Sequence, residues 1–282
     1  MTAIAAALAA AAVLAETTAG ATPYPSTVYA HRGFSYAAPE NTLPAVDAAA
    51  AAGIEWMEND VQRTRDGALV VIHDATLART TDVEAKFPTR SPWRVGDFTQ
   101  AEINTLDAGS WKGPQWTGTR VPTLARYLAR LDANGQRLLL EVKRPELHPG
   151  LAADVVAELR RLGWLGTAHT GRLIVQSFDL ASLKAVRTRA PQVRTAFLTD
   201  DPSLANLPGC TAVADQIHLE HTRVTAAYVD AVHLRRGPHR RQVKLVVWTV
   251  DDPARTGQLL ALRVDGFITN RPDAISEAAT TA

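Results

Sequence analysis

The chain has 282 residues, of which 46% are hydrophobic and 21% charged, so it can bury a sizeable core in one large domain. Its formal net charge is +1 and it has no long basic run, so nothing in the composition predicts a nucleic-acid partner. Cys210 is the only cysteine, which excludes an intrachain disulfide and a cage of several thiolates around a metal.

The N-terminal segment 1–27 is rich in alanine and ends in small and polar residues. Its apolar run has roughly the length of a signal-peptide core and is too short to span a bilayer comfortably. We therefore expect a signal peptide and a secreted or extracellular protein without stable membrane insertion. Because the segment lacks the usual basic start, an alanine-rich helix on a cytoplasmic protein is the alternative.

Beyond this leader, short runs rich in Val, Ile and Leu alternate with segments of helical spacing, a pattern typical of βα units on a parallel sheet. About eight such pairs predict an α/β fold, a (β/α)8 TIM barrel over residues 28–282. A doubly wound open sheet is the alternative, although no G-x-G-x-x-G motif follows the first strand. Strands are predicted at 28–31, 54–61, 69–73, 137–143, 172–178, 194–199, 212–218, 243–250 and 265–269.

Residues 80–117 interrupt the alternation with prolines, glycines and three tryptophans. A connection of this length inside a compact domain usually has a function, and we expect an insertion over one rim of the barrel after the second strand region. Trp93, Trp111 and Trp116 either pack this insertion onto the barrel or form an aromatic wall for a ligand.

Acidic residues recur on the predicted strands. Because strand side chains alternate, Glu58 and Asp60 share one face of their strand, and Glu141 and Lys143 share a face of another. Buried carboxylates need compensating charge, and three oxygen donors suit a hard cation, Ca²⁺ or Mg²⁺. The alternative is that the acids form ion pairs with basic residues of the barrel mouth, namely Lys143, Arg32 or Arg63.

Two histidines end predicted strands. His31 follows the first strand and His73 the third, so both are expected at the carboxyl-terminal rim, where barrel enzymes place their chemistry. Two imidazoles can divide the roles of general acid and general base near neutral pH. A single histidine is more often structural, and His218, which also ends a predicted strand, is interpreted in that way.

Several segments resemble motifs of the glycerophosphodiester phosphodiesterase family, in the expected order and spacing. They are "HRG" with "PENT", "ENDVQRTRDGALVVIHDATLARTT", "LLLEVK", "QSFD", "VVWTVDD" and "VDGFITNRPD". The resemblance runs from about residue 28 to residue 273. It implies a metal-dependent enzyme that hydrolyses glycerophosphodiesters to glycerol 3-phosphate and an alcohol.

The resemblance also implies roles for individual residues. His31 and His73 match the family's catalytic pair, which we assign as base and acid respectively, and Glu58, Asp60 and Glu141 match its carboxylate ligands for a divalent cation.

Further matches concern the substrate. Arg32 and Lys143 match phosphate-binding residues, and Trp248 matches an aromatic near the glycerol subsite. The pair of Glu40 and Asn41 matches a loop that orders the floor of the site. One departure is Asn270, where Asp is common in the family, and we expect it to alter only a polar contact at the rim.

The expected partner is a small phosphodiester, and nothing in the sequence predicts an oligomeric state. A second hypothesis is a barrel enzyme of phospholipase D-type activity, whose substrates would be lysophospholipids or polymeric glycerophosphodiesters. A barrel that binds phosphate without turnover is a third hypothesis. An open apolar groove beside the insertion would favour the second hypothesis, because an acyl chain needs such a surface.

Overall fold

The computed structural model describes residues 26–281, so the predicted leader lies outside the described residues except for its last two positions. The predicted barrel is confirmed: eight parallel strands close on themselves, because β1 pairs with β2 on one side and with β9 on the other. One further strand, β3, pairs antiparallel with β2. The strands are β1 (Thr27–Ala30), β2 (Trp56–Arg63), β3 (Leu69–Val71), β4 (Arg137–Val142), β5 (Leu173–Ser177), β6 (Arg194–Thr199), β7 (Gln216–Glu220), β8 (Lys244–Trp248) and β9 (Gly266–Thr269).

Helices follow the parallel strands and cover the outside of the barrel. None of the helices within residues 26–281 is long and apolar enough to cross a lipid bilayer. Their bounds are α1 (Leu43–Ala51), α2 (Val83–Lys86), α3 (Gln100–Ile103), α4 (Leu124–Asn134), α5 (Leu151–Arg161), α6 (Leu180–Arg189), α7 (Leu207–Thr211), α8 (Ala226–His233), α9 (Pro253–Ala261) and α10 (Pro272–Thr281).

Local sequence explains where several of these helices begin. The side chains of Thr123, Asp179, Thr225 and Asp252 each accept a hydrogen bond from a backbone N–H in the first turn of α4, α6, α8 and α9. Such caps satisfy donors that have no partner within the helix, and each typically contributes about 1 kcal/mol. They fix the point at which each strand-to-helix loop ends, and these loops form the mouth of the barrel.

The alternation of strand side chains decides what faces the barrel interior. Its lower part is filled by an apolar cluster that includes Tyr29, Trp56, Leu139 and Ile174. Two residues further along β2 and β4 the same faces carry acidic residues. The interior therefore changes from apolar to charged toward the carboxyl-terminal ends of the strands.

The insertion at 80–117 packs in a hydrophobic cluster that also includes Val70 of β3. Leu77, Val83, Phe98 and Leu106 are buried in one cluster, and the guanidinium of Arg90 lies 3.8 Å from the ring centre of Phe98. The indole N–H of Trp93 donates to the carbonyl of Phe87, and that of Trp111 donates to the carbonyl of Ala108. These contacts favour packing within the insertion for these two tryptophans.

A glycine makes a close approach of backbones possible beside the first strand. Gly33 has φ +78°, and a Cβ atom there would lie 2.7 Å from the Cβ of Ala45 and 2.9 Å from its carbonyl carbon. The amide of Phe34 donates to the Ala45 carbonyl at 2.9 Å, so the loop after β1 rests directly on α1. This contact places the residues on either side of Gly33 at the barrel mouth.

We expect Gly33→Ala to lower the free energy of unfolding by roughly 2–5 kcal/mol, because a left-handed alanine costs about 1–2 kcal/mol and overpacking typically adds about 1–3 kcal/mol. Gly53→Ala is the matched control, since Gly53 has φ +73° with nothing within 4 Å of its virtual Cβ. Urea unfolding of both variants measures the difference. Equal losses in the two variants would contradict the crowding at Ala45.

Candidate active site

Three carboxylates meet inside the barrel mouth. Glu58 and Asp60 come from β2 and Glu141 from β4, and all three side chains are buried. One oxygen of each lies within 4.8 Å of the others. The parallel register sets Asp60 beside Glu141, so the pairing of two strands brings together acids that are about eighty residues apart.

Two basic side chains lie against this cluster. The Nζ of Lys143 is 3.2 Å from Asp60 and 3.0 Å from Glu141, and the Nε of Arg32 is 3.5 Å from Asp60. Arg63, the third expected partner, pairs instead with Asp154 of α5. The ion pairs that we considered as an alternative thus exist for Lys143 and Arg32, and they leave three acids facing two cations.

Hydrogen bonds hold the carboxylates in place. The backbone N–H of Arg32 donates to Glu58 at 2.8 Å, and the amide of Gln176 donates to the other oxygen of Glu58 at 3.0 Å. Asn41, the loop residue expected at the site floor, donates its side-chain N–H to Asp60 at 2.8 Å. Glu58 and Asp60 therefore have a fixed orientation before any ligand binds, while the partner of Glu141 is Lys143.

The mutual repulsion of the acids perturbs their ionisation. Burial and the neighbouring Asp60 raise the pKa of Glu141 to about 7, and burial with the charges of Asp60 and Glu141 raises the pKa of Glu58 well above its usual range. Burial also opposes ionisation of Asp60, but Lys143 and Arg32 outweigh it and hold its pKa below the ordinary value. The fold therefore favours the ionised form of Asp60 and disfavours the ionised forms of Glu58 and Glu141.

This donor set fits a divalent cation of the hard type. Three buried carboxylates with no thiolate or imidazole among them match the oxygen ligands that Ca²⁺ and Mg²⁺ prefer. Burial and the neighbouring carboxylates raise the pKa values of Glu58 and Glu141, and a bound cation would favour their ionised forms. The candidate metal ligands are accordingly Glu58, Asp60 and Glu141.

A chain of buried polar side chains supports Glu58 from inside the barrel. Gln176 donates to Glu58, so its oxygen faces the Nδ1 of His218 at 2.8 Å and accepts a hydrogen bond from it. Burial lowers the pKa of His218 to about 3, so the ring is neutral. Its Nε2 lies 2.8 Å from Oε1 of Gln216. His218 lies within β7 and is structural, as interpreted from the sequence.

A second network surrounds His73. Its Nδ1 lies 2.7 Å from Asp74, and Arg79 bridges Asp74 to Glu40 with hydrogen bonds of 2.6 to 3.1 Å. Glu40 in turn accepts from Arg32 at 2.9 Å. Because an ionised carboxylate can only accept, Nδ1 of His73 carries its proton and Nε2 is left for another partner.

His31 has a different partner. Its Nδ1 lies 2.7 Å from the side-chain oxygen of Asn270, which also accepts from the hydroxyl of Ser35 at 2.9 Å. Burial and the neighbouring Arg32 lower the pKa of His31 to about 4. The expectation that Asn270 alters only a rim contact is therefore wrong, because this residue touches one of the two candidate catalytic imidazoles.

A cleft of about 620 Å³ opens beside the cluster. Its lining includes His73, Glu141 and Lys143 together with loop residues after β4 and β5. Phe178 is half exposed and packs edge-on against Trp248, with ring centres 5.7 Å apart. Among the described residues, the three tryptophans of the insertion do not line this cleft.

Sequence reasoning did not identify several residues that support the site. Asp74 and Arg79 lie within the motif "ENDVQRTRDGALVVIHDATLARTT", but neither residue was predicted to have a role in the site. The signal was available for Asp74, which directly follows the candidate catalytic His73. Arg79 offered none, because its contact with Glu40 joins positions thirty-nine residues apart.

Comparison with known proteins gives a consistent result. A family model described as the glycerophosphoryl diester phosphodiesterase family matches residues 31–274. A glycerophosphodiester phosphodiesterase of Bacillus subtilis is 33% identical over 257 residues, covering 86% of this chain and 83% of that protein. Another, from Caldanaerobacter subterraneus, is 32% identical over 253 residues, covering 88% and 95%.

Solved structures agree with these matches. An Oleispira antarctica phosphodiesterase, solved in complex with the product sn-glycerol-3-phosphate, has a TM-score of 0.76 at 26% identity and covers 90% of this chain and 97% of its own. A glycerophosphodiester phosphodiesterase from Agrobacterium tumefaciens has a TM-score of 0.69 at 29% identity, covering 89% and 99%.

The strain in the carboxylate cluster predicts how pH and divalent cations act on stability. Because the pKa of Glu141 is raised from 4.5 to about 7 in the fold, its contribution to stability falls as pH rises from about 5 to 8. We expect Ca²⁺ or Mg²⁺ to offset this loss, so that the cation raises the thermal midpoint more at pH 8 than at pH 5. Glu141→Gln should reduce that difference, and a shift independent of pH would contradict the assignment. Scanning calorimetry with chelator and with added cation measures it.

Gln176→Met tests the buried support of Glu58. The substitution leaves Oε1 of Glu58 and Nδ1 of His218 without the partner that Gln176 provides, and a buried polar group left unsatisfied costs about 1–3 kcal/mol. We expect the free energy of unfolding to fall by roughly 2–5 kcal/mol and the affinity for a divalent cation to weaken. Gln192→Met, at an exposed position, is the control and should change neither quantity by much. Urea unfolding measures the free energy of unfolding, and calorimetric titration measures the affinity for the cation. Equal values of both quantities in the two variants would refute the role of Gln176.

Proposed function

Since the chain belongs to the glycerophosphoryl diester phosphodiesterase family, a family of phosphoric diester hydrolases, we propose that it hydrolyses glycerophosphodiesters to glycerol 3-phosphate and an alcohol by two-histidine acid–base catalysis that depends on a divalent cation. The similar Oleispira antarctica enzyme, whose structure holds sn-glycerol-3-phosphate, supports this product.

One observation carries the proposal: two imidazoles with engaged Nδ1 atoms flank a cluster of buried carboxylates. The Nδ1 atoms of His31 and His73 face Asn270 and Asp74 respectively, so both Nε2 atoms remain for a substrate. Burial lowers the pKa of both rings, and the nearby charge of Asp60 opposes that shift in each of them. Hydrolysis of a phosphodiester needs one group to accept a proton from the attacking oxygen and one to protonate the leaving oxygen.

The partners of the two rings support a division of roles. Burial lowers the pKa of His73, and its hydrogen bond to the carboxylate of Asp74 opposes that shift, which favours the imidazolium that a general acid requires. Asn270 is neutral, and His31 stays unprotonated because it is buried beside Arg32. We therefore assign His31 as the base that acts on the attacking hydroxyl, of water or of the substrate's own glycerol, and His73 as the acid.

Charge at the mouth supports binding of the phosphodiester anion. Arg32 and Lys143 place two cationic side chains beside the cluster, where they would neutralise the negative phosphate. A divalent cation held by Glu58, Asp60 and Glu141 would supply Lewis-acid stabilisation of the phosphate oxygens.

The cleft favours a small alcohol over a lipid. Its apolar lining residues, Ala75, Val142, Pro145 and Phe178, are interspersed with charged and polar ones. An acyl chain needs a continuous apolar surface to bind, which such a lining does not provide. This supports small glycerophosphodiesters over lysophospholipids. Trp248, packed against Phe178, stands beside this cleft as the candidate contact for the glycerol part.

We expect His31→Gln and His73→Gln each to lower kcat at least a hundredfold, since general acid–base catalysis typically contributes 10²–10⁴-fold. Chelation with EDTA should abolish turnover, and added Ca²⁺ or Mg²⁺ should restore it. A coupled assay of glycerol 3-phosphate release measures each effect, with glycerophosphocholine, glycerophosphoethanolamine and lysophosphatidylcholine as substrates.

His169→Gln is the matched control, because His169 precedes β5 at the opposite end of the barrel. It should leave kcat and KM close to those of the unaltered enzyme. Full turnover by both histidine variants and by the EDTA-treated enzyme would refute the proposed function.

A further inference from the structure

A chain of hydrogen bonds continues behind His31. The Nδ1 of His31 lies 2.7 Å from Oδ1 of Asn270, and Nδ2 of Asn270 donates to Oδ2 of Asp251 at 2.7 Å. The other oxygen of Asp251 accepts from the backbone N–H of Asn270 at 2.7 Å and from the hydroxyl of Thr269 at 3.0 Å. Asp251 therefore joins the loop after β8 to the loop after β9.

This arrangement fixes the direction of every bond. An ionised Asp251 can only accept, so the N–H₂ side of Asn270 must face it. The carbonyl oxygen of Asn270 then faces His31 and requires a donor there. Nδ1 of His31 must therefore carry the ring proton, and Nε2 holds the free lone pair.

We propose that Asp251 is a positioning residue that acts through Asn270 to hold His31 in the tautomer with its proton on Nδ1. The proposal rests on the assignment of His31 as the general base, because that role requires an unprotonated Nε2 directed at the attacking oxygen.

The position of the negative charge matters as much as the tautomer. The charged and titratable groups that face His31 are Arg32 in its own loop, Asp60 on β2 and His73 after β3. The carboxylate of Asp251 is separated from the ring by the whole amide of Asn270, so it orients the ring without touching it. His73, by contrast, touches the carboxylate of Asp74. The two imidazoles thus receive the same orientation from neighbours of different charge.

A merely structural role for Asp251 is the competing explanation, since it also ties two loops together. The two explanations differ in what happens when Asp251 and Asn270 exchange their side chains. In the double variant Asp251→Asn with Asn270→Asp, the amide of residue 251 can accept from the backbone N–H and donate to the new carboxylate. The hydrogen bonds are conserved, while the negative charge moves into contact with His31.

The single variant Asp251→Asn should release the constraint on the amide of Asn270. We expect a mixture of His31 tautomers and a kcat lowered about tenfold to a hundredfold. The exchanged double variant should restore the Nδ1–H tautomer and most of kcat. Its carboxylate should raise the pKa of His31 by about one to three units, so that the acidic limb of the kcat/KM profile moves upward by the same amount.

Nitrogen-15 NMR of histidine-labelled protein reads the tautomer directly, with the His31 signals assigned by their loss in His31→Gln. Kinetics are measured at saturating divalent cation across pH. Asp252→Asn is the matched control, because it removes the same charge from the neighbouring residue, which caps α9 and is not bonded to Asn270. It should leave both the tautomer and the pH profile unchanged.

An unaltered protein whose His31 carries its proton on Nε2 would overturn the proposal, even if Asp251→Asn fails to fold. So would a folded Asp251→Asn variant that keeps the Nδ1–H tautomer and full kcat, or an exchanged variant that binds cation normally without regaining that tautomer. Failure of the proposed function is separate: it would appear as undiminished turnover in His31→Gln, whatever tautomer the NMR spectrum reports.

Discussion

Three carboxylates buried together at one end of a barrel repel one another, and the rest of the mouth is arranged around that repulsion. Glu58, Asp60 and Glu141 face two cationic side chains, those of Lys143 and Arg32. The cluster therefore has one more acid than nearby cations, and burial together with the repulsion among the carboxylates raises the pKa values of Glu58 and Glu141. A divalent cation would stabilise a site of this kind, and in the proposed function Lys143 and Arg32 would help to neutralise a bound phosphodiester.

The supporting residues show how this strain is contained. Gln176, Asn41 and the backbone of Arg32 each donate to a carboxylate oxygen, and these bonds keep Glu58 and Asp60 from turning away from each other. The buried ring of His218 holds Gln176 in turn. Because buried polar groups are costly when unpaired, every link in this chain depends on the next one.

The two candidate catalytic imidazoles illustrate a related principle. Both rings are oriented through Nδ1, but His73 meets the carboxylate of Asp74 and His31 meets the amide of Asn270. Orientation and charge are thus set separately: the hydrogen bond determines the tautomer, and the presence or absence of a neighbouring charge determines how readily the ring is protonated. A base and an acid can in this way be built from the same residue type in one mouth.

The sequence by itself determined the barrel and which residues of a strand share a face. Alternating apolar and helical patterns predicted the elements, and the period of two placed Glu58 with Asp60 on one face, because that periodicity is local to the chain. The tertiary structure alone decided which loop residues meet the histidines. Asn270, which is bonded to Asp251, reaches His31 only when β9 closes the barrel against β1, and Arg79 reaches Glu40 only when separate loops share the mouth. Such contacts depend on the closure of the sheet, and no local spacing in the chain encodes them.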